Sequence, residues 1–162
     1  SCMLCPLNDG CAALGSGDPE HYPVKTAKPA RPTRRGAAFV AVQSDGAVLM
    51  RTRPAKGLLG GMTEVPTTAW SARADGATSA EAAPCAGDWR RVGTVNHVFT
   101  HFALDLDVFL ATAVATAAPA GHRWVPAADI PGEALPSLMK KAIEAALPGA
   151  TRKIHSPRKP AR

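Results

Sequence analysis

No two acidic residues are adjacent anywhere in these 162 residues. Divalent-metal hydrolysis of a phosphoanhydride needs several carboxylates converging on one ion. After Glu64 the next acids are Asp75, Glu81 and Asp88, scattered through a Ser-, Ala-, Gly- and Pro-bearing stretch with weak helical periodicity. The pattern for that chemistry is therefore missing. Long apolar runs are missing as well. The longest apolar region, near 108–118, is Ala/Thr-rich and reads as strand and loop, short of the ~18 residues that mark a membrane span. A soluble protein with no membrane partner is expected. No internal repeat is visible.

Lys and Arg are absent from residues 1–24, which carry three acids. Residues 25–35 reverse this with Lys25, Lys28, Arg31, Arg34 and Arg35 and no acid. Residues 36–150 are nearly balanced, and the tail adds Arg152, Lys153, Arg158, Lys159 and Arg162. The net charge of +6 thus resides in a connector and a tail. Appendages of this kind serve nucleic-acid binding, or are simply solvated. Cysteine is scarce, yet three of the four fall within ten residues, CMLCPLNDGC (2–11), and Cys85 stands alone. Metal ligation explains that clustering better than two disulfides. Three thiolates underdetermine the metal: zinc completed by a histidine such as His21 and an iron–sulfur cluster both remain open.

From Gly36 the pattern turns β-rich. AAFVAVQ (37–43), a turn at Ser44-Asp45-Gly46 and AVLMRTR (47–53) read as a β-hairpin. GLLGGMTEVP (57–66) is a glycine-punctuated loop running into a short strand, and 71–88 a loop or short poor helix. Arg90–Phe99 and Phe102–Thr112 read as two long strands, with Leu104, Leu106, Val108 and Leu110 alternating against Asp105, Asp107 and Phe109. HRWVP (122–126) is a last short strand. Ser137–Leu147 is a helix with Leu138, Met139, Ala142, Ala145 and Ala146 on its apolar face, Ser137 as N-cap and Pro148-Gly149 as stop.

GLLGGMTEVP together with VNHVFTHF (95–102) resembles the C-terminal domain of MutY-type A/G-specific adenine DNA glycosylases. There a degenerate Nudix fold reads 8-oxoguanine opposite a misplaced adenine. CMLCPLNDGC strengthens the resemblance, because that family closes its catalytic domain with an iron–sulfur loop of spacing C-x6-C-x2-C-x5-C. Cys2, Cys5 and Cys11 match the last three positions, and the first would lie seven positions before Cys2. The chain opens on Ser1 without a methionine, and a C-terminal fragment of a longer enzyme is the expectation.

The resemblance implies an α+β fold: a degenerate Nudix-like domain with a mixed sheet and a flanking helix, preceded by a cysteine loop and a Pro-rich connector. Residues 1–16 would end the iron–sulfur loop, 17–34 form the connector, 35–150 the Nudix-like domain and 151–162 a basic tail. It implies a [4Fe–4S] cluster on Cys2, Cys5 and Cys11 with a fourth ligand outside the chain. The cluster's role there is structural. Adenine excision falls in that family to a Glu and an Asp on a helix-hairpin-helix domain that would precede Ser1. No catalytic residue is accordingly assigned in this chain, which by itself should be inactive. The expected partner is double-stranded DNA carrying 8-oxoguanine opposite adenine. A monomeric, bacterial, cytoplasmic and nucleoid-associated enzyme is implied.

Phe99-Thr100-His101 matches the family's Phe-Ser-His lesion-reading loop with Thr in place of Ser. The hydroxyl is kept and can bond the N7–H and O8 edge that distinguishes 8-oxoguanine from guanine. His101 can add a hydrogen bond, and Phe99 can pack or wedge beside the base. His97 lies on the preceding strand, where a structural role is expected. Thr63 departs from the family, which commonly has Trp there. Two other readings are a Nudix hydrolase of nucleoside diphosphate derivatives and a noncatalytic nucleic-acid-binding module. The first lacks the family's R-E-x-x-E-E helix, which leaves Glu64 as a structural or capping residue.

Overall fold

The computed structural model describes residues 2–24 and 30–152. Lys25 and Lys28 of the basic connector, and all of the basic tail beyond Arg152, lie outside the described residues. The chain divides into two compact units, Ser1–Ala30 and Arg31–Arg162.

The first unit is a succession of tight turns. 3-10 turns at Cys2–Leu4, Asn8–Gly10 and Pro19–His21 accompany one α-helical turn, α1 (Ala12–Gly15). The backbone bonds step by threes, Cys5 N to Cys2 O, Asn8 N to Cys5 O and Cys11 N to Asn8 O, at 3.1 to 3.2 Å. Such i to i+3 closure suits short runs and gives no continuous helix. None of its described residues is buried.

The second unit holds two three-stranded sheets and one long helix. β1 (Thr33–Ala41), β4 (Arg90–Val98) and β5 (Ala103–Ala111) form a mixed sheet in the order β1-β5-β4, with β1 parallel and β4 antiparallel to β5. β2 (Val48–Thr52), β3 (Thr63–Glu64) and β6 (His122–Val125) form an antiparallel sheet in the order β3-β2-β6. The alternation along β5 sends Leu104, Leu106, Val108 and Leu110 into the main core. Phe109 goes to the opposite face, where it stacks on Phe39 at 5.6 Å. A shift of register between Arg91 and Gly93 marks a bulge in β4, which adds local twist.

The expected hairpin is half correct. Its turn forms, with Ala47 N donating to Asp45 Oδ1 at 2.9 Å and Gly46 N to Gln43 O at 3.0 Å. Its strands do not pair into a ladder: a lone bridge joins Val42 to Val48, and the two strands enter different sheets. Ala37 to Ala41 are at most 1 % exposed, and a strand apolar on both faces belongs beside a parallel neighbour under two layers. β1 also begins at Thr33, ahead of the apolar run. Its outer edge is covered by the segment after β3, through Phe39 N to Pro66 O at 2.9 Å and Thr68 N to Ala37 O at 3.0 Å, so no edge is left to template aggregation there.

α2 (Ser137–Ala146) lays Leu138, Met139, Ala142 and Ile143 against the core strands. Ile143 is buried, whereas Ala145, expected on this face, is exposed. Ser137 is the first helical residue rather than the cap. Pro136 holds that position in extended conformation with no side-chain cap bond, and its carbonyl accepts from Lys140 N at 3.0 Å. The stretch 71–88 carries one 3-10 turn, Ala80–Ala82, as its poor periodicity suggests.

Candidate nucleic-acid interface

The β4–β5 turn closes with Phe99 N donating to Phe102 O at 2.8 Å. Thr100 and His101, between those two, are exposed, while Phe99 is half-buried and Phe102 only 2 % exposed. The rings of Phe99 and Phe102 stack at 4.6 Å, Trp70 tilts against Phe99 at 6.0 Å, and His97 meets Phe99 edge-on at 4.6 Å. Each such aromatic contact adds about 0.5–1.5 kcal/mol beyond area burial. The turn is thus a polar tip on an aromatic pedestal, and Phe99 belongs to the pedestal. Burial, and then the Lys141 ammonium, hold His97 below its ordinary range. It serves as a packing partner of Phe99.

Behind Trp70 stands a charged hub. Glu64 is 1 % exposed and receives Arg51 Nε on one oxygen at 2.8 Å and Arg53 Nη1 on the other. A buried carboxylate without such partners would cost several kcal/mol. Arg53 also donates to Leu58 O at 3.0 Å and places its guanidinium 5.4 Å from the Trp70 ring centre. A continuous chain of contacts therefore runs from Glu64 through Arg53 and Trp70 to Phe99. Glu64 is a structural residue, as expected, through an ion pair rather than a cap.

Two loops flank Trp70. Residues 54–61 are drawn tight by Gly61 N to Pro54 O at 3.2 Å. At Gly60 a Cβ would collide with the Ala55 carbonyl and lie 3.1 Å from that of Pro54, which only glycine accommodates. Residues 71–76 are strapped to β1 by Arg34 Nε to Ala72 O at 3.2 Å and Gly76 N to Arg35 O at 2.8 Å. Between the loops lies a cleft of about 400 Å³ lined by Arg53, Lys56, Leu58, Trp70 and Arg73, among others. On α2, Lys141 Nζ donates to Asn96 O at 3.4 Å. Lys56 and Arg73 thus line the cleft beside Trp70, and Lys141 reaches β4 just before the turn. Sequence reasoning missed Trp70, Arg53, Lys56, Arg73 and Lys141, since nothing local marks a Trp among Ala and Ser, or isolated cations, as neighbours of a turn dozens of residues away. Thr63, where the family commonly has Trp, is buried and donates its hydroxyl to Glu133 Oε2 at 2.8 Å.

The cysteines are all free thiols: Cys2 and Cys5 exposed, Cys11 and Cys85 half-buried. The thiols of Cys2, Cys5 and Cys11 suit a cluster in donor type, but the structure does not draw them into one ligand set. His21 pairs instead with Asp18, Nδ1 to Oδ2 at 2.5 Å. Burial raises the Cys85 thiol, which suits an inert packing cysteine. Among the described residues no three His, Cys, Asp or Glu lie together so as to hold a metal ion. The carboxylates present do not fit a divalent-metal phosphohydrolase centre. No described helix is long and apolar enough to cross a membrane.

Residues 37–145 match the NUDIX domain family, and the chain belongs to it. Its fold is that of a Nudix domain: an α+β arrangement of mixed and antiparallel sheets with few helices. Among solved structures it is similar to the C-terminal domain of mouse MUTYH in complex with human PCNA. Identity there is 24 % over 68 % of this chain and 85 % of that one, with a TM-score of 0.54. It is also similar to a MutT protein from Methanosarcina mazei Go1, at 19 % identity over 72 % and 94 % with a TM-score of 0.53. A third is a MutT NUDIX hydrolase from Burkholderia pseudomallei, at 18 % over 71 % and 98 % with a TM-score of 0.54. At these identities the likeness concerns the fold alone, which the MUTYH C-terminal domain shares with a MutT NUDIX hydrolase. The distinction between them rests on the site.

Proposed function

We propose that this chain is the lesion-recognition part of an adenine DNA glycosylase, reading 8-oxoguanine opposite adenine in duplex DNA through Thr100 and His101. The observation that carries the proposal is the exposure of these two polar residues on a turn whose flanking Phe99 and Phe102 are locked by stacking. A reader of a base edge needs a rigid platform under a few hydrogen-bonding groups. Adenine excision itself falls to carboxylates of a helix-hairpin-helix domain outside this chain. The hydrolase reading is disfavoured because Glu64 is engaged by Arg51 and Arg53.

The test is binding of the chain to duplexes bearing 8-oxoguanine or guanine opposite adenine. Wild type should prefer the former. Thr100→Ala with His101→Ala should erode that preference by roughly 1–3 kcal/mol for the lost hydrogen bonds. An unchanged preference in a folded double variant, or metal-dependent nucleotide hydrolysis at ordinary enzymatic rates, would overturn the reading.

We infer further that Cys2, Cys5 and Cys11 are three ligands of a [4Fe–4S] cluster completed by a cysteine outside the chain. When bound, the cluster would order this loop and perform no glycosidic chemistry. Iron and sulfide should be near four each per chain once an upstream cysteine is joined to it. Stoichiometric zinc with no iron after anaerobic reconstitution would refute this.

A further inference from the structure

The cleft between residues 54–58 and 71–73 has no role in base reading, yet its composition is specific. Lys56 and Arg73 are exposed on facing loops and have no carboxylate partner among the described residues. Arg53, in contrast, is paired with Glu64, which it shares with Arg51. Trp70 lines the cleft, is 6 % exposed, and its indole N–H finds no acceptor in the protein. Such an orphan donor is uncommon in a folded chain and calls for an explanation. Two cations without carboxylate partners on the two loops that line one cleft, with Leu58 half out of the surface beside them, suit an oxyanion that bridges the loops.

We propose that this cleft is a phosphodiester-binding site that grips the DNA backbone beside the base read by the β4–β5 turn. Continuity argues for DNA over a free nucleotide: Trp70 is both a wall of the cleft and the ring packed on Phe99, so the two sites share one rigid part. The cleft and turn then divide the labour common to DNA-binding surfaces, phosphate contacts fixing register and polar tips reading the base. The inference rests on the proposed function above, in that it needs Thr100 and His101 to face DNA.

The experiment measures binding of the full 162-residue chain to the 8-oxoguanine and guanine duplexes across a salt series. It compares wild type with Lys56→Gln/Arg73→Gln, with Thr100→Ala/His101→Ala, and with Arg90→Gln/Lys140→Gln as a control removing equal charge from exposed residues that do not line the cleft. Each phosphate contact contributes about 0.9 to the slope of log affinity against log salt. The cleft variant should therefore bind both duplexes roughly ten-fold more weakly at 0.1 M salt, with a slope shallower by about 1.8 and an unchanged 8-oxoguanine preference. The control should change the slope by much less. If the cleft variant matches wild type or the control in slope while the turn variant still loses its preference, the cleft proposal fails and the base-reading proposal stands. If the turn variant keeps its preference while the cleft variant lowers the slope, base reading fails and the cleft remains a general DNA contact. If wild type binds neither duplex but takes up ADP, and Lys56→Gln/Arg73→Gln abolishes that uptake, the site belongs to a free nucleotide and the proposal is overturned.

Discussion

Glu64 receives two guanidiniums at a position that is 1 % exposed. Removing one partner from a buried pair leaves an uncompensated charge and costs about 3–5 kcal/mol. Arg51 keeps 34 % and Arg53 16 % side-chain exposure, so the lower end applies. Glu64→Ala is expected to destabilise the second unit by about 3 kcal/mol in urea unfolding, and a loss below 1 kcal/mol would contradict the hub. The same change frees Arg53 from its place over Trp70 and should loosen the turn beyond it. At this scale the sequence was informative about Thr100 and His101, which a short contiguous motif delivers. It was silent about Trp70, Lys56 and Arg73, because their relation to the turn exists only through the register of β4 against β5 and the strapping of 71–76 onto β1.

Among the elements, α2 shows how one side chain ends a helix. Glu144 accepts from Thr151 Oγ1 at 2.6 Å, Gly149 N at 2.7 Å and Thr151 N at 2.9 Å. The Thr151 hydroxyl first, then the two amides, hold its carboxyl below the ordinary glutamate range. A carboxyl depressed in the folded state contributes stability that is fully present above its unfolded pKa of ~4.3 and is lost as pH falls through the folded value. Glu144→Gln should therefore cost about 1 kcal/mol at pH 7. That difference should shrink below pH 4 as wild type is protonated, read by denaturant unfolding at the two pH values. A penalty that grows in acid would contradict the cap. The strands β4 and β5 were legible because a half-polar face imposes strict alternation along β5. The partner of β1 was not, because a run apolar on both faces has no alternation to reveal its neighbour, and the Asp-Gly turn points to a hairpin whichever sheet the strands join.

Across the whole chain, charge and chemistry are distributed unevenly. The first unit buries no described residue and exposes Met3, Leu4 and Leu7, so its described residues build no core. The second unit has a full core and a Nudix fold, and among its described residues no three His, Cys, Asp or Glu gather to hold a metal ion. A fold shared by a MutT NUDIX hydrolase and by the MUTYH C-terminal domain leaves function to its sites, and here the best-built exposed site is the turn carried on Trp70, Phe99 and Phe102. The central claim is that this turn meets 8-oxoguanine in DNA. Its most direct test is a titration of the isotopically labelled chain with duplexes carrying 8-oxoguanine or guanine opposite adenine, following backbone amide shifts by NMR. The largest perturbations are expected at 97–103, greater for the 8-oxoguanine duplex, with a second group at 54–58 and 71–73 common to both. Perturbations that bypass 97–103, or that are identical for the two duplexes, would contradict it.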